Sequence, residues 1–364
     1  MASETRRPGS RAANRSTFRA RHPLLTWLLP IIVIVPLIAG GAYAWNLNHQ
    51  LNQVGRIKTD GLDNRPDPDA GKDLNILLIG SDKGEPQPGQ SKKTTLAQDA
   101  AAAEWPVGKY RSDTLMVVHI PADRSKVYAV SIPRDSFVPI HDAQGEVTHS
   151  EKINSAFSAH GPLGTISTVE NLTGLRMSHV AIVDWDGFKD LSTAVGGVPV
   201  TIPKTFYDPK QKVTWEAGDH LLEGKMALKY VRTRYGLIGG DFDRIKRQQN
   251  FMRSLLGKML DSGVTSNPVK LNKTVVALSK NLTVDEGWSS TSMGKLALSL
   301  KGIKAEDVTF LTAPVAGTET IPVWGSVVKL DEAKSEELFT ALKFGKMDEF
   351  LAKYPDDVLG DEIR

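Results

Sequence analysis

The chain contains no cysteine. Disulfides, thiolate metal sites and cysteine nucleophiles are therefore excluded. Export is not, because 364 residues with 40% hydrophobic content can bury a core that needs no covalent staple. No G-x-S-x-G and no H-E-x-x-H occurs, which removes the serine-hydrolase elbow and the zinc-peptidase helix. Gly218–Lys225 approaches a phosphate-binding loop. It has one residue too many between its glycines, and Met226 stands where Ser or Thr would bind magnesium. The eight histidines form no ligand-spaced pair on a predicted helix. There is no internal repeat, and the sequons at Asn171, Asn272 and Asn281 are what chance gives at this length.

Net charge is small but unevenly placed. Net charge is +3, yet residues 1–22 carry six arginines against Glu4, a tail charge of +5 that leaves −2 for the rest. A slightly acidic remainder lacks the footprint of a nucleic-acid binder, so no nucleic-acid partner is expected. Leu24 to Ala44 holds no charged residue. At about 1.5 Å per residue it spans roughly 30 Å, the thickness of a bilayer core. Pro30 and Pro36 are tolerated in such helices, and Trp27, Tyr43 and Trp45 fall near the two interfaces. Arginines on the N-terminal side alone place residues 1–22 in the cytoplasm and everything after Trp45 outside. Ala42-Tyr43-Ala44 fits a signal-peptidase site, but the apolar run is longer than a signal peptide needs, so a retained single-pass cell-membrane anchor over 23–45 is expected.

Residues 46–72 are polar and rich in Asp, Asn, Pro and Gly, and read as an extracellular stalk. Short apolar runs at Asn75–Ile79, Thr114–Ile120 and Lys126–Ile132 read as strands, the last two joined as an antiparallel hairpin by Pro121–Ser125. Val180–Trp185, Val198–Ile202 and Val308–Leu311 are further strands. Helical patterns lie at 152–173, 186–195, 223–231, 243–262, 290–302 and 331–342. This alternation predicts an α/β domain over 73–350, with a mixed central β-sheet flanked by helices. Residues 83–106 interrupt it as a long inserted loop with a helical turn in Leu96–Trp105, and 351–364 read as a tail.

The chemistry left is arginines and aspartates at strand ends: Asp82 after the first strand, Arg111 and Asp113 opening the second, Arg134 and Asp135 closing the third. A hairpin sets the start of one strand beside the end of the next, so Asp113 and Arg134 can meet. Asp82 joins them if the first strand pairs parallel to the third or antiparallel to the second. A second cluster holds Arg232 and Arg234, on one face of an extended segment, and Arg244 and Gln248, on one face of a helix. A helix start suits an anion, and guanidinium forks match phosphate oxygens. Asp82 and Asp113 could share a magnesium ion with pyrophosphate. Structural ion pairs on a solvated face are the alternative for these charges.

The sequence resembles the LytR–CpsA–Psr family of wall glycopolymer ligases. The resemblance rests on Asn75–Asp82, Arg111–Met116, Ser131–Asp135, Lys152–Ala156, Thr168–Gly174, Gly196–Val198, Tyr230–Arg234 and Gly240–Gln249, in the family's order. It implies an apolar channel for a polyprenyl tail and an arginine-lined mouth for its pyrophosphate. It further implies transfer of a wall teichoic acid, capsule, arabinogalactan or similar polymer to peptidoglycan, with Mg2+. On this resemblance Arg111, Arg134, Arg232, Arg234 and Arg244 grip the pyrophosphate with help from Gln248. Asp82 and Asp113 serve the metal, while Asp135, Lys152 and Asp241 orient these groups or move protons. Two features depart from the family: the 83–106 loop is longer than its usual link, and Asp243 adds a carboxylate beside Arg244. The expected function is a phosphotransferase acting on a polyprenyl-pyrophosphate-linked glycopolymer and a peptidoglycan acceptor. The rivals are a transcriptional attenuator, disfavoured because the cytoplasmic tail has no helix-turn-helix pattern, and a non-catalytic binder of lipid-linked polymer.

Overall fold

A computed structural model describes residues 42–43, 45–68, 71–83, 88–91, 93–233, 241–260 and 267–359, without the side chains of 185, 186, 241 and 242. The expected tail over 1–22 and nearly all of the expected anchor lie outside the described residues. Among the described residues no helix is long and apolar enough to cross a membrane. The chain divides into Met1–His49 and Gln50–Arg364. In the first unit residues 45–49 are helical, and the rings of Trp45 and His49 stack at 5.4 Å.

The second unit is mixed α/β, as the alternation of patterns predicts. In chain order it runs β1 (Gly55–Ile57), β2 (Leu74–Lys83), α1 (Leu96–Ala100), β3 (Tyr110–Ile120), β4 (Val127–Ile132), β5 (Phe137–His141), β6 (Val147–Lys152) and α2 (Asn154–Thr173). It continues β7 (His179–Asp184), α3 (Trp185–Ala194), β8 (Val198–Ile202), β9 (Phe206–Asp208), β10 (Val213–Trp215), β11 (Gly218–Leu222), α4 (Gly224–Arg232) and α5 (Asp241–Leu260). Then come α6 (Pro268–Asn281), β12 (Leu282–Asp285), α7 (Ser290–Ser299), β13 (Val308–Thr312), β14 (Val315–Ile321), β15 (Gly325–Leu330), α8 (Glu332–Lys343) and α9 (Met347–Lys353).

The central sheet has the order β1-β12-β7-β2-β3-β4-β13. β2 runs parallel to β7 and antiparallel to β3, and β4 is antiparallel to β3 but parallel to β13. Leu77, Ile79, Leu115, Val117 and Val130 fill one face against Phe157 and Val169 of α2 and Leu338 of α8. Ile76, Met116, Ala129 and Phe310 fill the other, against Met252 and Leu256 of α5. The period-2 alternation of β2 and β3 thus feeds two cores. Phe251 and Leu255 of α5 close a third against α3, α4 and β8.

Several sequence boundaries need correction. Part of the expected stalk is sheet: Val54 and Ile57 are buried, β1 pairs with β12, and Arg65 forms an ion pair with Glu170. The 351–364 tail is not free along its length, because α9 enters it and the Leu359 N–H donates to Phe310 O at 2.9 Å. The 83–106 segment contains α1, started by a capping box in which Thr95 and Gln98 satisfy each other's backbone. α6 escaped the apolar periodicity, although Asn267 caps it and Pro268 opens it. The expected 152–173 helix forms with a break at Gly161 (φ 65°), just before Pro162.

Candidate active site

The site occupies the end of the sheet where β2 stops, β3 starts and β4 stops. β2 meets the second strand antiparallel, which is one of the two pairings that bring Asp82 to the hairpin. Between Gly80 and Ser81 the ladder shifts register. Gly80 lies opposite Thr114 and Ser81 opposite Ser112, so Asp113 has no partner on β2. A bulge of this kind re-aims a side chain, and here Asp113 meets Arg134, two residues beyond the end of β4. Arg134 Nη1 donates to Asp113 Oδ1 at 2.7 Å. Asp135 takes two looser partners, Arg134 Nε at 3.7 Å and Lys152 Nζ at 3.8 Å. Lys152 is there because β6 pairs antiparallel with β5 and sets it opposite Phe137.

The second cluster closes over the first. Arg232, the last residue of α4, pairs with Asp82 at 2.9 Å, and Asp82 lies opposite Arg111 on β3. Arg244 and Gln248 of α5 face the strand ends. Arg244 is buried, and it lines a small pocket with Asp113, Arg134 and Gln248. Gln248 Nε2 donates to Val231 O at 3.3 Å, tying α5 to α4. Arg234 lies outside the described residues. Asp241 opens α5, and its side chain also lies outside them.

Two further residues of the α5 motif have no role assigned from sequence. Gln249 is buried and donates to Ser131 Oγ at 3.0 Å, Leu311 O at 2.7 Å and Thr312 Oγ1 at 3.1 Å. These bonds fix the helix on the ends of β4 and β13. Arg247 is buried between the rings of Phe206 and Tyr230, 4.9 and 5.0 Å from their centroids. Burial pulls its guanidinium below the usual arginine range, against the hydrogen bond with Tyr230 and the charges of Asp243 and Asp208. The charge of Asp243, expected beside Arg244, therefore also acts on Arg247 one turn further along. Only the position of these two residues within the charged motif could have flagged them.

Beside the charged pocket opens an apolar cavity of about 100 Å³. Leu78, Val183, Phe188, Leu191 and Leu255 line it, and it shares Thr114, Met116, Gln248 and Met252 with the charged pocket. An apolar slot joined to a cluster of arginines suits an amphiphile with an anionic head.

Among the described residues no three His, Asp or Glu gather as a metal cage. Magnesium does not need one, since one or two carboxylates plus substrate phosphates and water suffice. Asp82 and Asp113 fit that requirement. Burial pushes the Asp82 carboxyl up, Arg232 and Arg111 pull it down, Asp113 pushes it up, and the net result is a raised value. Two carboxylates whose charges oppose each other would gain from a shared cation.

The chain as a whole is similar to known proteins. The cell wall biosynthesis protein LcpA of Corynebacterium glutamicum is 32% identical over 88% of this chain, which spans 65% of LcpA's length. TagU of Bacillus anthracis, named as a polyisoprenyl-teichoic acid–peptidoglycan teichoic acid transferase, is 30% identical over 73% of this chain and 81% of its own. The crystal structure of Bacillus subtilis TagV superposes with a TM-score of 0.60 at 27% identity, covering 76% of this chain and 98% of TagV. The LytR_cpsA_psr family model matches residues 46–343, and the chain belongs to that family.

Proposed function

We propose that this chain is a glycopolymer–peptidoglycan phosphotransferase, held at the cell membrane by the apolar segment 23–45 with its catalytic domain outside. The observation that carries this reading is the apolar cavity opening beside Arg134, Arg244 and Gln248. A polyprenyl tail gains about 0.8 kcal/mol per buried CH₂, so such a slot would select a lipid carrier. The name of TagU supports the same class of reaction, and that of LcpA supports a role in cell wall biosynthesis.

In the proposed reaction a hydroxyl of the peptidoglycan acceptor attacks the polymer-side phosphorus of the polyprenyl pyrophosphate. A new P–O bond forms, the bond from that phosphorus to the bridging oxygen breaks, and polyprenyl phosphate leaves. The hydroxyl proton passes to a carboxylate of the site. Arg111, Arg134, Arg232, Arg234 and Arg244 hold the phosphate oxygens, and Gln248 fixes the bridging region. Asp135 and Lys152 steady Arg134, and Asp241 opens the helix that presents Arg244. Asp82 and Asp113 would hold Mg2+, which when bound supplies positive charge to the phosphates. Positioning and electrostatics then carry most of the catalysis.

The test is release of polyprenyl phosphate from a polyprenyl-pyrophosphate-linked saccharide by the full chain in lipid nanodiscs with a peptidoglycan acceptor. Asp113→Ala is expected to cut that release by about 10²–10³, because Arg134 loses its partner and the site a carboxylate. Binding of the carrier by the wild type without any release would make the protein a binder instead.

A further inference from the structure

The 83–106 insertion takes no part in the reaction above, yet it is fastened to the two strands that carry the site. Thr94 bridges them. Its carbonyl accepts from Lys83 Nζ at 2.9 Å, and its hydroxyl accepts from Lys109 Nζ at 2.5 Å. Lys109 is fully buried and forms an ion pair with Asp99 of α1, whose same oxygen accepts from Tyr110 OH at 2.7 Å. Burial alone would push the Asp99 carboxyl up, but hydrogen bonds from Lys109, Tyr110 and Thr94 hold it below the usual carboxylate range.

These contacts surround one place in the sheet. Lys83 opposite Tyr110 is the last rung of the β2–β3 ladder, and the rung before it is Asp82 opposite Arg111. Trp105, further along the insertion, packs on Tyr110 with the rings tilted and 5.3 Å apart, and meets Phe157 edge-on at 5.7 Å. It fills the space at Gly161, where a Cβ would stand 2.7 Å from the indole. Terminal rungs of a two-strand extension fray unless something packs on them. A fully buried ammonium tolerates no loss of its carboxylate, so the clasp closes only with Asp99 in place.

We propose that Asp99 is a positioning residue, which through Lys109 holds the last rung of β2 and β3 shut and so keeps Arg111 and Asp82 at the spacing that pyrophosphate recognition needs. The inference rests on the proposed function, but it can fail separately. The measurement is the affinity of the full-length protein in micelles for a short-chain polyprenyl pyrophosphate. Amide hydrogen exchange at Arg111 is followed alongside.

Asp99→Asn is expected to weaken binding about 10-fold, one charge-assisted contact's worth, and to speed exchange at Arg111. Glu170→Gln, which breaks a buried ion pair at the opposite end of the sheet, is expected to lower the melting temperature comparably and leave both readouts unchanged. On an Arg111→Ala background, Asp99→Asn is expected to cost less than about twofold more, because coupled residues are not additive. Thr94→Val removes the hydroxyl's bonds to Lys109 and Asp99 but leaves that ion pair intact, so it reports even where Asp99→Asn fails to fold. Wild-type affinity and exchange in either folded variant would overturn the clasp. Absence of binding by the wild type would sink the functional reading instead, while exchange at Arg111 would still judge Asp99.

Discussion

The two ends of the central sheet handle charge differently. At the end away from the site, Glu170 is buried and accepts from Arg65 Nε at 3.0 Å and from the Met177 N–H at 2.7 Å. Arg65 Nη2 in turn donates to Met177 O at 2.7 Å. Nearby, Asn75 bridges His119 and the Arg176 carbonyl, and Asp285 accepts from the Val180 N–H at 3.0 Å while facing His179. Each charge there is enclosed and answered by the protein itself. At the site end Arg232 and Asp82 remain 33% and 39% exposed, and the Asp82 carboxyl is raised although Arg232 touches it. One end is built for stability. The other holds charge that its own partners do not fully settle, as expected where a ligand completes the balance.

The largest effect should come from opening the closed end. Glu170→Gln leaves Arg65 facing a neutral amide in a buried setting, at an expected cost of about 3–5 kcal/mol of folding stability. Chemical denaturation measures it. The folded fraction should bind carrier normally. A loss below about 1 kcal/mol would show that this end is no more settled than the other.

The two ends were also unequally legible. The site-end motifs are contiguous: Arg111 to Asp113, Pro133 to Asp135, Arg232 to Arg234. The hairpin rule was enough to join Asp113 to Arg134. The closed end depends on pairs such as Arg65 with Glu170, 105 positions apart, and nothing local distinguishes Arg65 from a residue of a solvated stalk. For the same reason β1 was hidden, since three residues carry no period and its partner β12 lies more than 200 positions away. The bulge at Asp113 was invisible because a register shift belongs to two strands at once.

A middle-sized effect belongs to the site end. Arg244 is buried beside Asp113 and Gln248, and its fork suits a phosphate. Arg244→Ala should weaken carrier binding about 10- to 150-fold, or about 1.5–3 kcal/mol, and Arg244→Lys should not fully restore it. Lys304→Ala, at an exposed position outside the site, should bind as wild type. Titration calorimetry on the four proteins separates the cases. Equal affinities would return Arg244 to the class of structural arginines.

The smallest effect is the most discriminating, because its sign separates Asp82 from the clasped Asp99 beside it. A carboxyl whose folded pKa is raised binds its proton more tightly folded than unfolded. Its stabilising contribution is therefore fully present below the unfolded carboxylate value and is lost as pH rises through the folded pKa. At neutral pH Asp82 has lost that contribution, and burial and the charge of Asp113 outweigh what Arg232 and Arg111 return. Asp82→Asn mimics the protonated form, so its melting temperature near pH 7.5 should equal or exceed that of the wild type by about 1–2 °C. The advantage should shrink as pH falls through the carboxylate range, where the wild-type carboxyl takes up its own proton. Added Mg2+ should raise the wild-type melting temperature and not that of the variant, since a ligand stabilises only the state that binds it. Asp99→Asn should behave oppositely, losing stability at neutral pH and approaching the wild type as acid protonates Asp99. A fall in melting temperature for Asp82→Asn at pH 7.5 would mean that the Arg232 pair is a settled structural bridge. The contrast between the two ends of the sheet would then lose its physical basis.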